Sequence, residues 1–204
     1  TREAFNAPAA FAFSPDSRAV AFCASAKELV TQEDPTFSVY ENELFATSLD
    51  TPALVHLSAG YVPSVGGGLG CSRLTWSAKD GRIYVPVDAG ARTLLARTRT
   101  AVTSALGAVT LETMPSTAET MGAFDIANGV QVASVEGPTT APALQRLDLA
   151  TGTTATVNAP NAAAFGNMAL PTWKAWSFRN SRGEDIESWY WLPPGFDSTR
   201  TYPM

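Results

Sequence analysis

The sequence predicts a mainly β protein. About three four-stranded antiparallel units run in series, the pattern of β-propeller blades, and a separate strand–turn–strand segment follows them. Three observations carry this expectation. Short alternating strands bounded by turn residues dominate, and apolar residues at helical spacing are nearly absent. One hairpin motif recurs along the chain, each copy followed by a second hairpin. Residues 173–204 then break the recurring pattern.

The first copy is Phe11 to Phe22. Phe11 and Phe13 share a face of its first strand, because side chains alternate with period two. Ser14-Pro15-Asp16-Ser17 suits a type I turn, in which Pro fixes φ and Ser and Asp bond back to the backbone. Val20 and Phe22 return on one face. The second copy, Leu74 to Val85, aligns without a gap: Trp76 matches Phe13, Ser77 matches Ser14 and Ile83 matches Val20. The third and weakest runs from Phe124 to Val132, with Asn128-Gly129 as its hairpin turn.

An outer hairpin follows each inner one. Glu43–Asp50 leads through Thr51-Pro52 to Leu54–Leu57. Thr93–Arg97 leads to Ala108–Leu111. Ala143–Leu149 turns at Ala150-Thr151-Gly152 to Thr154–Val157. The units therefore start near residues 9, 72 and 121 and fill residues 1–160, with a linker at 161–172. Lys27–Tyr40 reads as a polar loop inside the first unit. Ala59–Gly70 reads as a glycine-rich loop before the second. Three blades do not close a ring, and an open arc leaves apolar faces bare, so the pattern reads as part of a longer protein.

The last segment begins with a strand, Trp173–Phe178. A turn at Asn180–Glu184 leads to a second strand, Asp185–Leu192, and Pro193-Pro194-Gly195 breaks the sheet. Its motif is Phe178-x-x-x-x-Gly183-Glu184-x-Ile186-x-x-Trp189, then Leu192-Pro193-Pro194-Gly195-Phe196-Asp197 and Tyr202-Pro203. This resembles the start of the catalytic domain in serine peptidases of the prolyl oligopeptidase family, which includes dipeptidyl and acylaminoacyl peptidases. The Ser-Pro-Asp turn and the Leu144-x-x-Leu147-Asp148-Leu149 strand resemble that family's blades. The resemblance implies that residues 1–160 are the last propeller blades and that 173–204 are the opening strands of an α/β-hydrolase domain. It also implies a Ser-Asp-His triad that hydrolyses short peptides and lies outside this sequence. The partners it implies are a peptide substrate, the remaining blades and the rest of the catalytic domain.

Within the chain no catalytic, cofactor-binding or metal-ligating residue is expected, and no cofactor. The nucleophile elbow Gly-x-Ser-x-Gly is absent; Ser64 has glycine after it but Val62 where the leading glycine should stand. His56, the one histidine, reads as a surface or hydrogen-bonded strand residue with no nucleophile beside it. Gly66-Gly67-Gly68-Leu69-Gly70 lacks the Lys-Ser/Thr end and the following helix of a phosphate loop. Glu33, Asp34, Glu41 and Glu43 read as a solvated acidic edge. Trp173, Trp176, Trp189 and Trp191 read as packing between the blades and the next domain.

Composition sets the outer limits. With 204 residues, 45% of them hydrophobic and 16% charged, the chain is globular and holds one or two domains. A net charge of −5 argues against a nucleic-acid partner. No apolar run approaches the ~20 residues that span a bilayer, so no membrane partner is expected. Cys23 and Cys71 read as two separate buried thiols, with pairing in an oxidising compartment as the alternative. The sequence does not separate a cytoplasmic from a secreted or periplasmic location, nor set an oligomeric state. A rival to the peptidase reading is a propeller scaffold that binds a partner and has no catalytic domain. It accounts for the blades but not for residues 173–204.

Overall fold

In the computed structural model, residues 10–24, 42–51, 53–61, 63–66, 71, 73–115 and 120–202 are described. The polar loop expected at Lys27–Tyr40 lies outside them.

The first unit is a meander of four antiparallel strands: β1 (Ala10–Phe13), β2 (Ala19–Ala24), β3 (Glu43–Ser48) and β4 (Leu54–His56). The second is β6 (Thr75–Trp76), β7 (Ile83–Ala89), β8 (Arg92–Thr98) and β9 (Leu111–Thr113), with the two-residue β5 (Ser64–Val65) added to β7. The third is β10 (Thr120–Ala127), β11 (Val130–Gly137), β12 (Thr140–Asp148) and β13 (Thr154–Asn158). A single parallel pairing, Thr120 with Thr93, joins the third unit to the second. None of these sheets closes on itself.

The expected repeat is present in the hydrogen bonds. Phe13 pairs with Val20 and Trp76 with Ile83. The Ser14 amide donates to the Ala19 carbonyl at 2.8 Å, and the Ser77 amide donates to the Arg82 carbonyl at 2.8 Å. Both serines are buried, because their hydroxyls accept amides of the turn they open: Arg18 and Ala19 in one, Lys79 in the other. The third turn is the tight one the sequence announces. Asn128 (φ 51°) and Gly129 (φ 80°) both sit in the left-handed region that a two-residue hairpin requires.

The units stack as layers. The inner face of the first unit is small: Ala19, Ala21, Cys23 and Ala46 are fully buried beside Leu44 and Leu57. It packs on Trp76, Ile83, Val85 and Val87 of the second unit. The opposite face of the second unit offers Tyr84 and Leu95 to Phe124, Ile126, Ala133, Val135 and Leu147 of the third. Strand β7 is thus covered on both sides, which explains its unbroken run Ile83-Tyr84-Val85 where a half-exposed strand would alternate.

Two expectations need correction. Ser64 and Val65 are not loop: they pair with Asp88 and Val87, so the stretch 59–70 contains a strand. The last strand of the second unit is Leu111–Thr113, not Ala108–Leu111. The apolar pair Ala108-Val109 suggested an earlier start, but Leu111 is the residue buried on the strand, and the pairing places opposite charges together. Arg97 stands opposite Glu112, and Arg82, Arg97 and Arg99 all reach that carboxylate, Arg97 at 2.8 Å.

The second and third units also meet through polar groups. Arg97 Nη1 donates to the Leu149 carbonyl at 3.3 Å. Within the second unit, the Tyr84 hydroxyl donates to Asp80 at 2.7 Å. Burial, and then the bond to Asp80 and its charge, push the Tyr84 phenol up to about 12. A raised phenol favours the folded state while it stays protonated. Its contribution is whole below the unfolded value of 10 and is lost as pH rises through about 12. Tyr84→Phe is therefore expected to cost about 1–2 kcal/mol at neutral pH and to flatten the loss of stability above pH 10. Urea midpoints measured from pH 8 upward check this; equal slopes in the two proteins would contradict it.

After the third unit, a one-turn helix, α1 (Ala162–Gly166), buries nothing. Strands β14 (Thr172–Arg179) and β15 (Asp185–Leu192) then form a two-stranded ribbon, as the sequence predicts. No helix among the described residues is long and apolar enough to cross a membrane.

Candidate functional site

Two places bring chemistry-bearing side chains together. The first lies at the edge of the first unit, where β3 and β4 run antiparallel. Phe45 faces His56, and Glu43 lies two residues before Phe45. The Ser58 hydroxyl donates to Glu43 Oε2, and His56 Nε2 stands 3.1 Å from that hydroxyl and 3.3 Å from the same carboxylate oxygen. So His56 does have a serine beside it, contrary to the expectation from sequence, and Glu43 is held in a cluster and is not a solvated edge. Glu33, Asp34 and Glu41 lie outside the described residues.

The cluster nevertheless lacks the arrangement of a hydrolytic triad. A triad uses one ring nitrogen for the serine and the other for the acid; here a single nitrogen meets both. Ser58 is buried, and its oxygen already accepts the Leu44 amide at 2.9 Å, which leaves it no path to a substrate carbonyl. His56 lies flat on Phe45, ring centroids 4.7 Å apart. These contacts tie β4 to β3. Ser64, the other serine weighed from sequence, sits on β5 paired with Asp88. Of the glycine-rich loop, Gly66 donates to the Pro86 carbonyl at 2.7 Å; residues 67–70 lie outside the described set.

The second place is a cleft of about 590 Å³ between the ribbon and the second and third units. The ribbon register decides what faces it. Trp173 pairs with Trp191, Ala175 with Trp189 and Ser177 with Glu187, and directly paired residues share a face. Trp173, Trp189, Trp191 and Glu187 all line the cleft. The far wall is Arg92 at the start of β8, with Glu136, Gly137 and Pro138 at the end of β11. At one point the two walls touch: a Cβ on Gly90 (φ +64°) would run into the Glu187 carboxylate.

The four indoles read from sequence as one packing group thus divide. Three face the cleft, while Trp176 lies on the other face with Phe178, Ile186 and Tyr190. On that other face Trp176 is 51% exposed and stacks on Phe178, at 5.1 Å. What the sequence reading missed was the strand parity. Residues an even number apart on one strand share a face, so 173 separates from 176, and the hairpin register brings 189 and 191 to the side of 173.

The cysteines also depart from expectation. Cys23 on β2 and Cys71 ahead of β6 form a disulfide, Cα atoms 6.1 Å apart. They meet because the two units stack, which spacing in sequence does not reveal.

No family model and no curated protein matches the sequence. Solved structures do match. A puromycin hydrolase aligns with TM-score 0.58 and 19% identity, over 92% of this chain and 26% of its own. The Pyrococcus horikoshii acylaminoacyl peptidase aligns with TM-score 0.61 and 11% identity, over 87% of this chain and 24% of its own. A Mycobacterium tuberculosis puromycin-hydrolyzing peptidase aligns with TM-score 0.53 and 14% identity, over 95% and 34%. At these identities the likeness is one of fold. The chain spans about a quarter to a third of the length of those proteins.

Proposed function

We propose that this chain is the end of the blade array and the first strands of the catalytic domain of a serine peptidase of the prolyl oligopeptidase type. In that reading the three layered units belong to a β-propeller that covers the active site and admits only short peptides. The ribbon carries the chain over into an α/β-hydrolase domain, whose serine, aspartate and histidine lie outside this sequence. The serine would attack the peptide carbonyl, the histidine would take and return its proton, and backbone amides would hold the oxyanion.

The ribbon is the observation that carries the reading. It begins the motif that runs from Phe178, it follows the four-stranded units, and each of its faces carries large apolar side chains. A hairpin with two apolar faces is stable only when covered on both. The cleft side has the blades; the side with Trp176, Phe178, Ile186 and Tyr190 suits the rest of a hydrolase sheet. Fold likeness to a puromycin hydrolase and two peptidases over most of this chain supports the same reading.

Labelling with a fluorophosphonate probe, together with hydrolysis of short chromogenic peptides, tests it. The full-length protein is expected to label and to cleave; residues 1–204 alone are expected to do neither. A full-length protein without labelling would favour the non-catalytic scaffold. Cleavage by residues 1–204 alone would refute the assignment of the triad to the remainder of the protein.

A further inference from the structure

We propose that the cleft between the ribbon and the second and third units is a binding site for a small organic cation of the alkylammonium or guanidinium class. The inference rests on the cleft's own residues and not on the peptidase reading.

Three features combine there. The first is size and shape: about 590 Å³ falls within the span of small-molecule sites. The second is the aromatic wall. Trp173, Trp189 and Trp191 stand on one face of a single hairpin, with Trp173 opposite Trp191, and the indole face is the strongest cation–π acceptor among side chains. The third is charge. Glu187 comes from the ribbon and Glu136 from β11, on facing walls, against one guanidinium, Arg92. None of the three forms an ion pair among the described residues, although seven such pairs are formed elsewhere.

The chemistry selects the ligand. Two unpaired carboxylates facing across three indoles favour a positive group with apolar flanks. The charge meets oxygen at the walls, and the alkyl or planar surface lies on the rings. An anion would find one guanidinium and two repelling carboxylates. A neutral aromatic would use the indoles and leave both carboxylates idle. Gly90 lets the Glu187 carboxylate come against the β7–β8 turn, where a side chain would displace it. Glu187 thus lines the cleft while its carboxylate rests against the second unit.

Titration calorimetry on the intact protein tests this with three probes of one size: benzyltrimethylammonium, benzyl alcohol and benzenesulfonate. The cation is expected to bind saturably, at least about tenfold more tightly than either of the others. Glu136→Gln with Glu187→Gln is expected to remove that preference while leaving the melting curve unchanged, since both carboxylates are exposed and the change is isosteric. Trp189→Phe, which keeps an aromatic ring, is expected to weaken the cation severalfold and retain the preference. Equal affinity for cation and alcohol would overturn the proposal in favour of a plain apolar cleft. Tighter binding of the sulfonate, no saturable heat with the cation, or an unchanged preference in the glutamine pair would overturn it as well.

Discussion

Replacing Cys23 and Cys71 together by alanine, or reducing the bridge between them, is expected to destabilise the protein by about 3–4 kcal/mol. The bridge spans 48 residues of sequence. Closing a loop of that length removes denatured-chain entropy worth about 4 kcal/mol by the loop-closure relation. Both cysteines are buried in the core between the first and second units, so alanine is the right replacement. Serine would add the cost of burying a hydroxyl. For a chain of this length the loss corresponds to a fall in Tm of roughly 6–16 °C. Reductant should bring the native protein down to the level of the alanine pair and leave the pair itself unmoved. Thiol titration in denaturant should find no free thiol before reduction and both afterwards. Free thiols before reduction, or a melting curve indifferent to reductant, would show that the units hold together without the bridge. A bridge found intact would point to work in an oxidising compartment, where such links persist.

The bridge also marks where sequence reading stops. Everything set by local chemistry was legible. Ser14 and Ser77 open equivalent turns because a short hydroxyl side chain bonds the amides just beyond it, and Asn128-Gly129 turns tightly because both residues tolerate positive φ. The ribbon was legible too, since alternation, a Gly183 turn and a Pro-Pro stop are adjacent in sequence. What was missed depends on strand pairing and on stacking between units. Cys23 meets Cys71 because two units stack, and Glu43 reaches His56 and Ser58 because β3 pairs with β4. The edge strand of the second unit starts three residues later than expected: Leu111 takes the buried place, and Glu112 stands opposite Arg97 within reach of three arginines. The cleft was half legible: its tryptophans were singled out, but which three share a face followed only from the register.

The repeat itself supplies the second large effect. Trp76 and Phe13 hold the same position in their units, each one strand-pair from the turn serine, opposite Ile83 and Val20. Their surroundings differ: Trp76 is 6% exposed in the core between the first two units, while Phe13 is 55% exposed on the outer side of the first. Trp76→Ala is expected to cost about 3–5 kcal/mol, from lost burial and the cavity left behind. Part of that loss is polar, because the indole N–H donates to the Gly81 and Val102 carbonyls at 3.1 and 3.3 Å. Val102 still bonds the Gly81 carbonyl through its own amide at 2.8 Å, so the Val102 carbonyl is the acceptor left exposed to loss. Trp76→Phe keeps one aromatic ring and loses the donor with part of the buried volume, so it is expected to cost about 1–3 kcal/mol, between wild type and Trp76→Ala. Phe13→Ala in residues 1–204 is expected to cost under about 1 kcal/mol, since half of the ring is already in water. If another unit stacks on β1 in the full-length protein, as the propeller reading requires, Phe13 becomes what Trp76 is. Its truncation should then cost about 3 kcal/mol in the full-length protein. Urea unfolding of Phe13→Ala in both forms separates the outcomes. A cost that grows with the longer chain places a neighbour on β1; a cost that stays small in both would leave the first unit as the true edge of the array and count against a propeller.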